Sequence, residues 1–455
     1  MKAHKLHFIG IGGVGMSAIA KIMLNMGYEI NGSDLNEGPL VQALREQGAQ
    51  IYIGHDAANI GADIEAVVYS SAIKPENPEL LRAQELGLPV YQRAEMLAFL
   101  MSLRESIGVA GAHGKTTTSG MLGLTLEKCG LDPTIIIGGT LPQIGGNAKS
   151  GRGKYLVAEA DESDATFLLL RPKVAVVTNI ECDHLDHYEC FDNIVAAFTQ
   201  YLQQLPKDGL AIICGDCENC RNLLDKIPAP YLTYGLDESN DYYAKEILHQ
   251  AGGVSANIYE KGQKLGRLFL QVPGNHNVTN ALAVVAFCRH IGLHFSVLAE
   301  ALGAFQGTGR RYDVLGKVDD ILVIDDYAHH PTEIKATIQA AKDSGAGRIV
   351  AVFQPHRYSR TLAMCEDFAD AFDQADVVIL NEIYGAFEKP IPGVTAHLIE
   401  AKVKEKNENK PVEYAATLDD TLDLLRRYAK SGDVVLIMGA GNIRIVGQRF
   451  VDERK

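Results

Sequence analysis

The stretch Ser106-Ile107-Gly108-Val109-Ala110-Gly111-Ala112-His113-Gly114-Lys115-Thr116-Thr117-Thr118 constrains this chain more than any other part of it. A β-branched strand runs into a glycine-rich turn and then a helix. Backbone amides and Lys115 can therefore cradle phosphates while Thr116 offers a hydroxyl to Mg²⁺. Such a loop works at the carboxyl edge of an open parallel sheet, which commits the surrounding chain to βα units. A strict phosphate loop carries glycine where this chain has Val109, with Gly108 and Gly111 on either side. A plain glycine-rich turn with a lysine stretched toward water is the competing reading.

The rest of the sequence agrees with a doubly wound α/β architecture. At about 150 residues per domain, 455 residues imply three domains. A first block, 1–103, opens with a strand at Lys5–Gly10, a helix at Val14–Met26 and a strand ending at Asp34. A second, 104–308, starts at the phosphate-loop strand and contains an antiparallel-looking interlude at 253–272. A third, 309–455, alternates ILVID, RIVAVF, DVVIL, VEYAA and DVVLIMG with helices. The formal net charge of −14 argues against nucleic acid or an anionic membrane as partner. Apolar runs are broken well short of a membrane span, and the N-terminus lacks a signal peptide's cleavage region, so we expect a cytoplasmic protein. The eight cysteines follow no disulfide framework, and none is expected to pair. Cys214, Cys217 and Cys220 share a spacing with part of an iron–sulfur pattern, but its closing cysteine is missing and we read them as fortuitous.

Three further motifs carry chemistry. Gly10-Ile11-Gly12-Gly13-Val14-Gly15 lies between a strand and a helix, and Asp34 follows Gly15 by 19 residues. This mimics a dinucleotide fingerprint, though any nucleotide diphosphate suits the same geometry. Glu159-Ala160-Asp161-Glu162-Ser163-Asp164 ends one strand, and Thr178-Asn179-Ile180-Glu181-Cys182-Asp183-His184 ends another. Mg²⁺ takes oxygen ligands, so a carboxylate such as Glu159 suits it; a solvated acidic loop and a structural His184 are the plainer alternatives.

With these residues in view, the chain resembles the Mur ligase family over nearly its whole length. The matching segments are GIGGVGMSAIA, GSD at 32–34, SSAIKPENPE at 70–79, GAHGKTTTSGM, EADESD, TNIECDHLD, PGNHNVTNALA at 273–283, GTGRRYDVLG at 307–316, DDYAHHPTEI at 325–334 and FQPHRYSRT at 353–361. The last two point to the family's alanine-adding branch. The resemblance implies a Rossmann-like N-terminal UDP-binding domain. A central P-loop ATPase-like α/β domain with a small antiparallel β part would follow, then a C-terminal Rossmann-like domain that brings the amino acid.

It also implies roles. Gly12, Gly13, Val14 and Gly15 would face a UDP-sugar diphosphate, with Asp34, Ser70 and Ser71 near the uridine or diphosphate. Gly111, Ala112, His113, Gly114, Lys115, Thr116 and Thr117 would hold ATP, with His276, Asn277 and Asn280 at the adenosine and Asp326 near the ribose. Thr116, Glu159 and His184 would bind Mg²⁺, with Mn²⁺ able to substitute. Arg311 would reach the γ-phosphate, and Tyr327, His329, Arg357 and Arg360 would meet the amino acid. Lys115, Glu159, His184, Arg311 and His329 would be the catalytic set. Without the resemblance, His276 and Asn280 read as helix-capping residues and the arginines as solvated surface.

The implied substrates are UDP-N-acetylmuramate, L-alanine and ATP, joined through an acyl phosphate by a monomer or weak homodimer. Ala112 stands where the branch usually has threonine, and a backbone amide suffices there. Asn193–Leu205 contains no lysine to carbamoylate, which favours the alanine-adding branch. The rivals are a tripeptide-adding relative, an NAD-dependent oxidoreductase built on the first glycine loop, and a nucleotide-gated binding protein.

Overall fold

Runs of Val and Ile with few polar interruptions become strands buried on both faces, as covered parallel sheets require: Ile107–Ala110, Val174–Val177, Ile349–Phe353 and Val377–Leu380 are all inaccessible or nearly so. The structure, a computed structural model, describes residues 3–250, 252–386 and 388–455. Residues 1–244, 258–266 and 280–302 make one compact unit, and residues 245–257, 267–279 and 303–455 another.

The first unit begins with a five-stranded parallel sheet. Lys5–Ile9 lies at its centre, Glu29–Asp34 and Gln50–Ile53 follow on one side, and Ala66–Tyr69 and Val90–Gln92 on the other. A second sheet holds ten strands, with Glu105–Ala110 between Val174–Val177 and Tyr155–Glu159. Its far strands Gly253–Glu260 and Gln263–Leu270 are joined through Lys261 and Gly262, both at positive φ, the turn that closes an antiparallel hairpin. At the opposite edge Thr134–Leu141 runs antiparallel to Gly146–Lys149, a pairing the sequence reading did not anticipate.

The second unit carries a six-stranded sheet in the order Asp313–Val318, Ile321–Asp326, Asp433–Met438, Arg348–Phe353, Val377–Asn381, Val412–Ala415. All neighbours are parallel except the first pair. Successive residues of Arg348–Phe353 feed opposite cores: Ile349, Ala351 and Phe353 pack on one face, Val350 and Val352 on the other. Both faces are therefore helix-covered, and the loops leaving the carboxyl ends of Ile321–Asp326 and Arg348–Phe353 emerge at one edge, flanking Asp433–Met438. Among the described residues no helix is long and apolar enough to cross a membrane.

Candidate functional site

Val109 is fully buried in mid-strand, opposite Glu159 in one neighbour and Val176 in the other. The chain leaves the sheet only at Gly111, whose φ is +135° and whose added Cβ would lie 2.0 Å from Thr178 Oγ1. The steric demand for glycine therefore falls at 111, and a β-branched residue at 109 costs nothing. Gly114, at φ +82°, opens helix Lys115–Lys128, and a Cβ there would lie 2.8 Å from Asn280 Oδ1. Asn280 is thus set against the loop.

Lys115 Nζ donates to the Gly111 carbonyl at 2.6 Å, the Ala112 carbonyl at 3.2 Å and Glu162 Oε1 at 2.9 Å. Burial opposes its charge, but Glu162, then Asp161 and Glu159, outweigh burial and hold it cationic. Burial pushes the Glu162 carboxyl up to about 7 against the pull of Lys115. Burial also opposes Asp161, yet Lys115 and Arg93 hold that carboxyl below its usual range. The Ala112 amide is taken by the Asn179 carbonyl at 3.2 Å and the His113 amide by Asn179 Oδ1 at 2.9 Å. Thr178 Oγ1 donates to the His113 carbonyl at 2.6 Å. Thr117 is buried in the helix's first turn.

Glu159 ends strand Tyr155–Glu159, and its Oε1 accepts the Gly138 amide at 2.6 Å. Burial raises its pKa, with Gly138, Lys115 and a side-chain hydrogen bond from Thr116 opposing. Cβ atoms at Gly138 and Gly139 would lie 2.6 Å from Glu159 Oε2 and 2.9 Å from Thr116 Cγ2, so both glycines make room for this pair. A hydroxyl and a half-buried carboxylate in contact are the hard oxygen donors that Mg²⁺ takes, so the residues fit such an ion. His184, in left-handed conformation, lies 3.9 Å from Glu162 Oε1 and 3.6 Å from Asp183 Oδ2.

In the N-terminal sheet the Gly10 and Ile11 amides donate to the Ser33 carbonyl and Gly12 donates to Asp34 Oδ2 at 2.8 Å. Asp34 therefore braces the glycine loop. Gly13 caps helix Val14–Asn25, and the Val14 carbonyl takes Asn147 Nδ2 at 2.6 Å. A Cβ on Gly15 would lie 3.1 Å from Arg93 Cδ. Ser70 follows the adjacent strand with its amide on the Ile9 carbonyl, and Ser71 is exposed.

In the second unit Glu333 organises the strand-end edge that carries His329 and Arg311. It accepts the His329 amide at 3.0 Å and the His330 amide at 3.4 Å in a capping box, sits 3.2 Å from His329 Nδ1, and pairs with Arg311 Nη1 at 3.2 Å. The His329 ring lies 5.5 Å from Tyr327 and 5.6 Å from His356, and Arg360 Nη1 lies 3.4 Å from the His356 carbonyl. Arg360 is buried, and Arg357 opens its helix at φ +70° with its amide on the Tyr384 carbonyl. Arg310 and Arg311 flank the Tyr327 ring at 4.9 and 5.4 Å. Asp326 accepts the Tyr312 amide at 2.9 Å and the Ala328 amide at 2.8 Å, while burial pushes its carboxyl up to about 6. His276 is exposed near the start of helix Asn275–His290, and Asn277 donates to the Pro273 carbonyl at 2.7 Å. Arg93, Glu162, Asn179, Glu333 and His356 were not singled out from the sequence, although Glu162, Asn179, Glu333 and His356 lie inside quoted motifs.

A phosphate loop on one parallel sheet, a glycine loop on another and an imidazole–guanidinium edge on a third define a nucleotide-dependent enzyme built for more than one substrate. Residues 5–105 match the family described as Mur ligase family, catalytic domain; residues 109–288 match the Mur ligase middle domain, and residues 310–441 the Mur ligase glutamate ligase domain. The chain belongs to the Mur ligase family and is an ATP-dependent ligase. It is 50% identical over 452 residues to the UDP-N-acetylmuramate–L-alanine ligase of Desulforamulus reducens, covering 99% of this chain and 98% of that one. Among solved structures, the UDP-N-acetylmuramate–alanine ligase of Thermotoga maritima superposes with a TM-score of 0.84 at 30% identity, covering 99% of this chain and 98% of that one. The murein peptide ligase of Psychrobacter arcticus matches at a TM-score of 0.72 and 27% identity, covering 98% of each chain.

Proposed function

We propose that this protein joins L-alanine to the lactyl carboxylate of UDP-N-acetylmuramate, cleaving ATP to ADP and phosphate and supplying a precursor for peptidoglycan. The observation that carries this reading is end-to-end similarity to alanine-adding ligases, supported by Lys115 in a phosphate loop and by Arg360 beside His356, whose ring meets that of His329. In this reading residues 1–103 bind the UDP sugar through Gly12, Gly13, Val14, Gly15, Asp34, Ser70 and Ser71. Residues 104–308 bind ATP, and residues 309–455 bring the amino acid. The protein acts in the cytoplasm as a monomer or weak homodimer.

Lys115 exchanges its carbonyl and Glu162 contacts for phosphate oxygens, and with Arg311 it offsets the charge gathered on the transferred phosphoryl group. Thr116 and Glu159, with His184, would hold Mg²⁺, which supplies further charge neutralisation when bound. The lactyl carboxylate attacks the γ-phosphorus, forming an acyl phosphate. Arg357 and Arg360 hold the alanine carboxylate, whose oxygens match a guanidinium fork, and His329 orients the amine toward the acyl carbon. His276, Asn277, Asn280 and Asp326 face the nucleoside. Phosphate release measured with UDP-N-acetylmuramate and ATP should rise sharply on adding L-alanine. Faster release with a tripeptide at equal concentration would reassign the protein to the tripeptide-adding branch.

A further inference from the structure

The turn that follows strand Leu210–Cys214 lies outside the machinery described above, and its three thiols are not equivalent. Cys214 and Cys220 are buried, whereas Cys217 is partly exposed. Among the described residues, the three sulfurs do not gather within 4.8 Å of one another as a metal-ligating group. Cys217 caps the short helix Glu218–Arg221 and Cys220 lies three residues on within it, the spacing that sets two side chains on one helix face. The neighbouring Cys220 holds the Cys217 thiol down at about 6, while Cys217 and burial raise Cys220 well above the ordinary thiol range. A thiolate near water thus stands beside a buried thiol, the division of labour of an attacking and a resolving cysteine. A cleft of about 610 Å³, lined by Asp216, Arg221, Leu236, Asp237 and Ser239, opens beside the same turn.

The turn also touches the catalytic loop. Asn219 Nδ2 donates to the Ile180 carbonyl at 2.8 Å, and Cys217 Sγ lies 4.0 Å from that same oxygen. Ile180 directly follows Asn179, whose carbonyl and side chain hold the Ala112 and His113 amides of the phosphate loop, and precedes His184 by four residues.

We propose that Cys217 and Cys220 form a reversible, peroxide-sensitive disulfide that acts on the loop Asn179–His184. The Cys217 thiolate attacks one oxygen of hydrogen peroxide; an S–O bond forms, the O–O bond breaks, and the departing hydroxide takes a proton to leave as water. The Cys220 sulfur then attacks the sulfenic sulfur and loses its proton as the S–O bond breaks and a second water departs. Two thiols and one peroxide become one disulfide and two waters, with sulfur oxidised and peroxide reduced; a thiol reductant reverses the change. Bridging draws Cys217 toward Cys220, removes its contact with the Ile180 carbonyl and re-aims Asn219, so the anchor of the phosphate loop shifts. This last consequence rests on the ligase reading, whereas the disulfide itself does not.

The test uses the full chain exposed to hydrogen peroxide at neutral pH and mapped by peptide mass spectrometry. A Cys217–Cys220 bridge, two hydrogens lighter than the dithiol and reversed by dithiothreitol, is the expected product. Phosphate release with all three substrates should fall by about fivefold or more and recover on reduction. Cys217→Ser should keep the untreated activity and lose the peroxide response. Iodoacetamide labelling of Cys217 should titrate near pH 6 in the wild type and move upward in Cys220→Ser. Oxidation of Cys182 or Cys190 with Cys217 and Cys220 left as thiols, or labelling of Cys217 only at ordinary thiol pH, overturns the proposal. A bridge that leaves phosphate release unchanged overturns its coupling to the loop while leaving the ligase reading intact.

Discussion

Around Lys115 the acids outnumber the cations: Glu159, Asp161 and Glu162 surround one ammonium, with Arg93 acting on Asp161. Along the edge that carries His329 cations are more numerous: Arg310 and Arg311 pair with Asp325 and Glu333, and Arg360 lies against His356, whose ring meets His329. The first region can accept a polyphosphate only when further positive charge arrives with it, which is the part a divalent cation plays. The second has cationic donors to offer a bare carboxylate. In the proposed reading the same strand-end geometry would serve two ligands of equal sign through opposite electrostatics.

Removing the lone ammonium tests the first half of that contrast most severely. Lys115→Ala should lower turnover by about a thousandfold or more. Its folding should depend on pH in a defined direction: Glu162, already raised to about 7, loses its cationic partner and titrates higher still. A group with a raised folded pKa costs stability as pH climbs above its unfolded value, so thermal unfolding of the variant should worsen from pH 6 to pH 8 relative to wild type. Near-normal turnover in a well-folded Lys115→Ala protein would dismantle the ATP-site assignment. Glu159→Gln should cost about a hundredfold and raise the magnesium needed for half-maximal rate, because one anionic donor is lost. An unaltered magnesium titration in that variant would place the ion on other residues.

The two regions also differ in how far their sequences could be read. The phosphate loop is contiguous, and its conformation is set by residues that are themselves in the motif, chiefly Gly111 and Gly114. Its partners are another matter: Glu162 and Asn179 reach it only because Tyr155–Glu159 and Val174–Val177 flank Glu105–Ala110, a register that local sequence does not encode. Gly138 and Gly139 lie in a strand and clear space for Glu159 and Thr116, a role that no local motif marks. At the other edge His329, Arg357 and Arg360 stood out only through the family resemblance; the residues alone read as solvated arginines at strand ends. The capping box that fixes His329 was hidden by a histidine, His330, standing where Ser, Thr or Asp usually signals a helix start.

The cation-rich edge is sharpened by shortening one guanidinium. Arg360 is buried, with its Nη1 against His356, and its loss should reduce kcat/KM for L-alanine by about ten- to a hundredfold, the worth of a charge-assisted hydrogen bond. Arg360→Lys should recover little, since an ammonium cannot present a planar fork. Titrating L-alanine against phosphate release separates the cases: an unchanged alanine requirement in Arg360→Ala would mean that the carboxylate is held elsewhere.

The smallest effect concerns a carboxyl that both regions have in common as a type. Asp326, like Glu162, is raised by burial, to about 6, but it is held by two backbone amides as well as by the charge of Arg311. Its folded pKa lies above the ordinary aspartate value, so the folded state binds its proton more tightly than the unfolded chain does. The sign follows: Asp326 supports folding below about pH 4, and that support drains away as pH rises to about 6, amounting to no more than about 3 kcal/mol. Asp326→Asn removes the titration at the expense of one amide bond, worth about 1 kcal/mol. Because the variant stays neutral at every pH, wild type should melt slightly higher at pH 4, lose that lead as pH rises through about 6, and melt below Asp326→Asn at pH 7. Parallel curves would show that the two amides and Arg311 already outweigh burial, making the two buried carboxyls unlike one another.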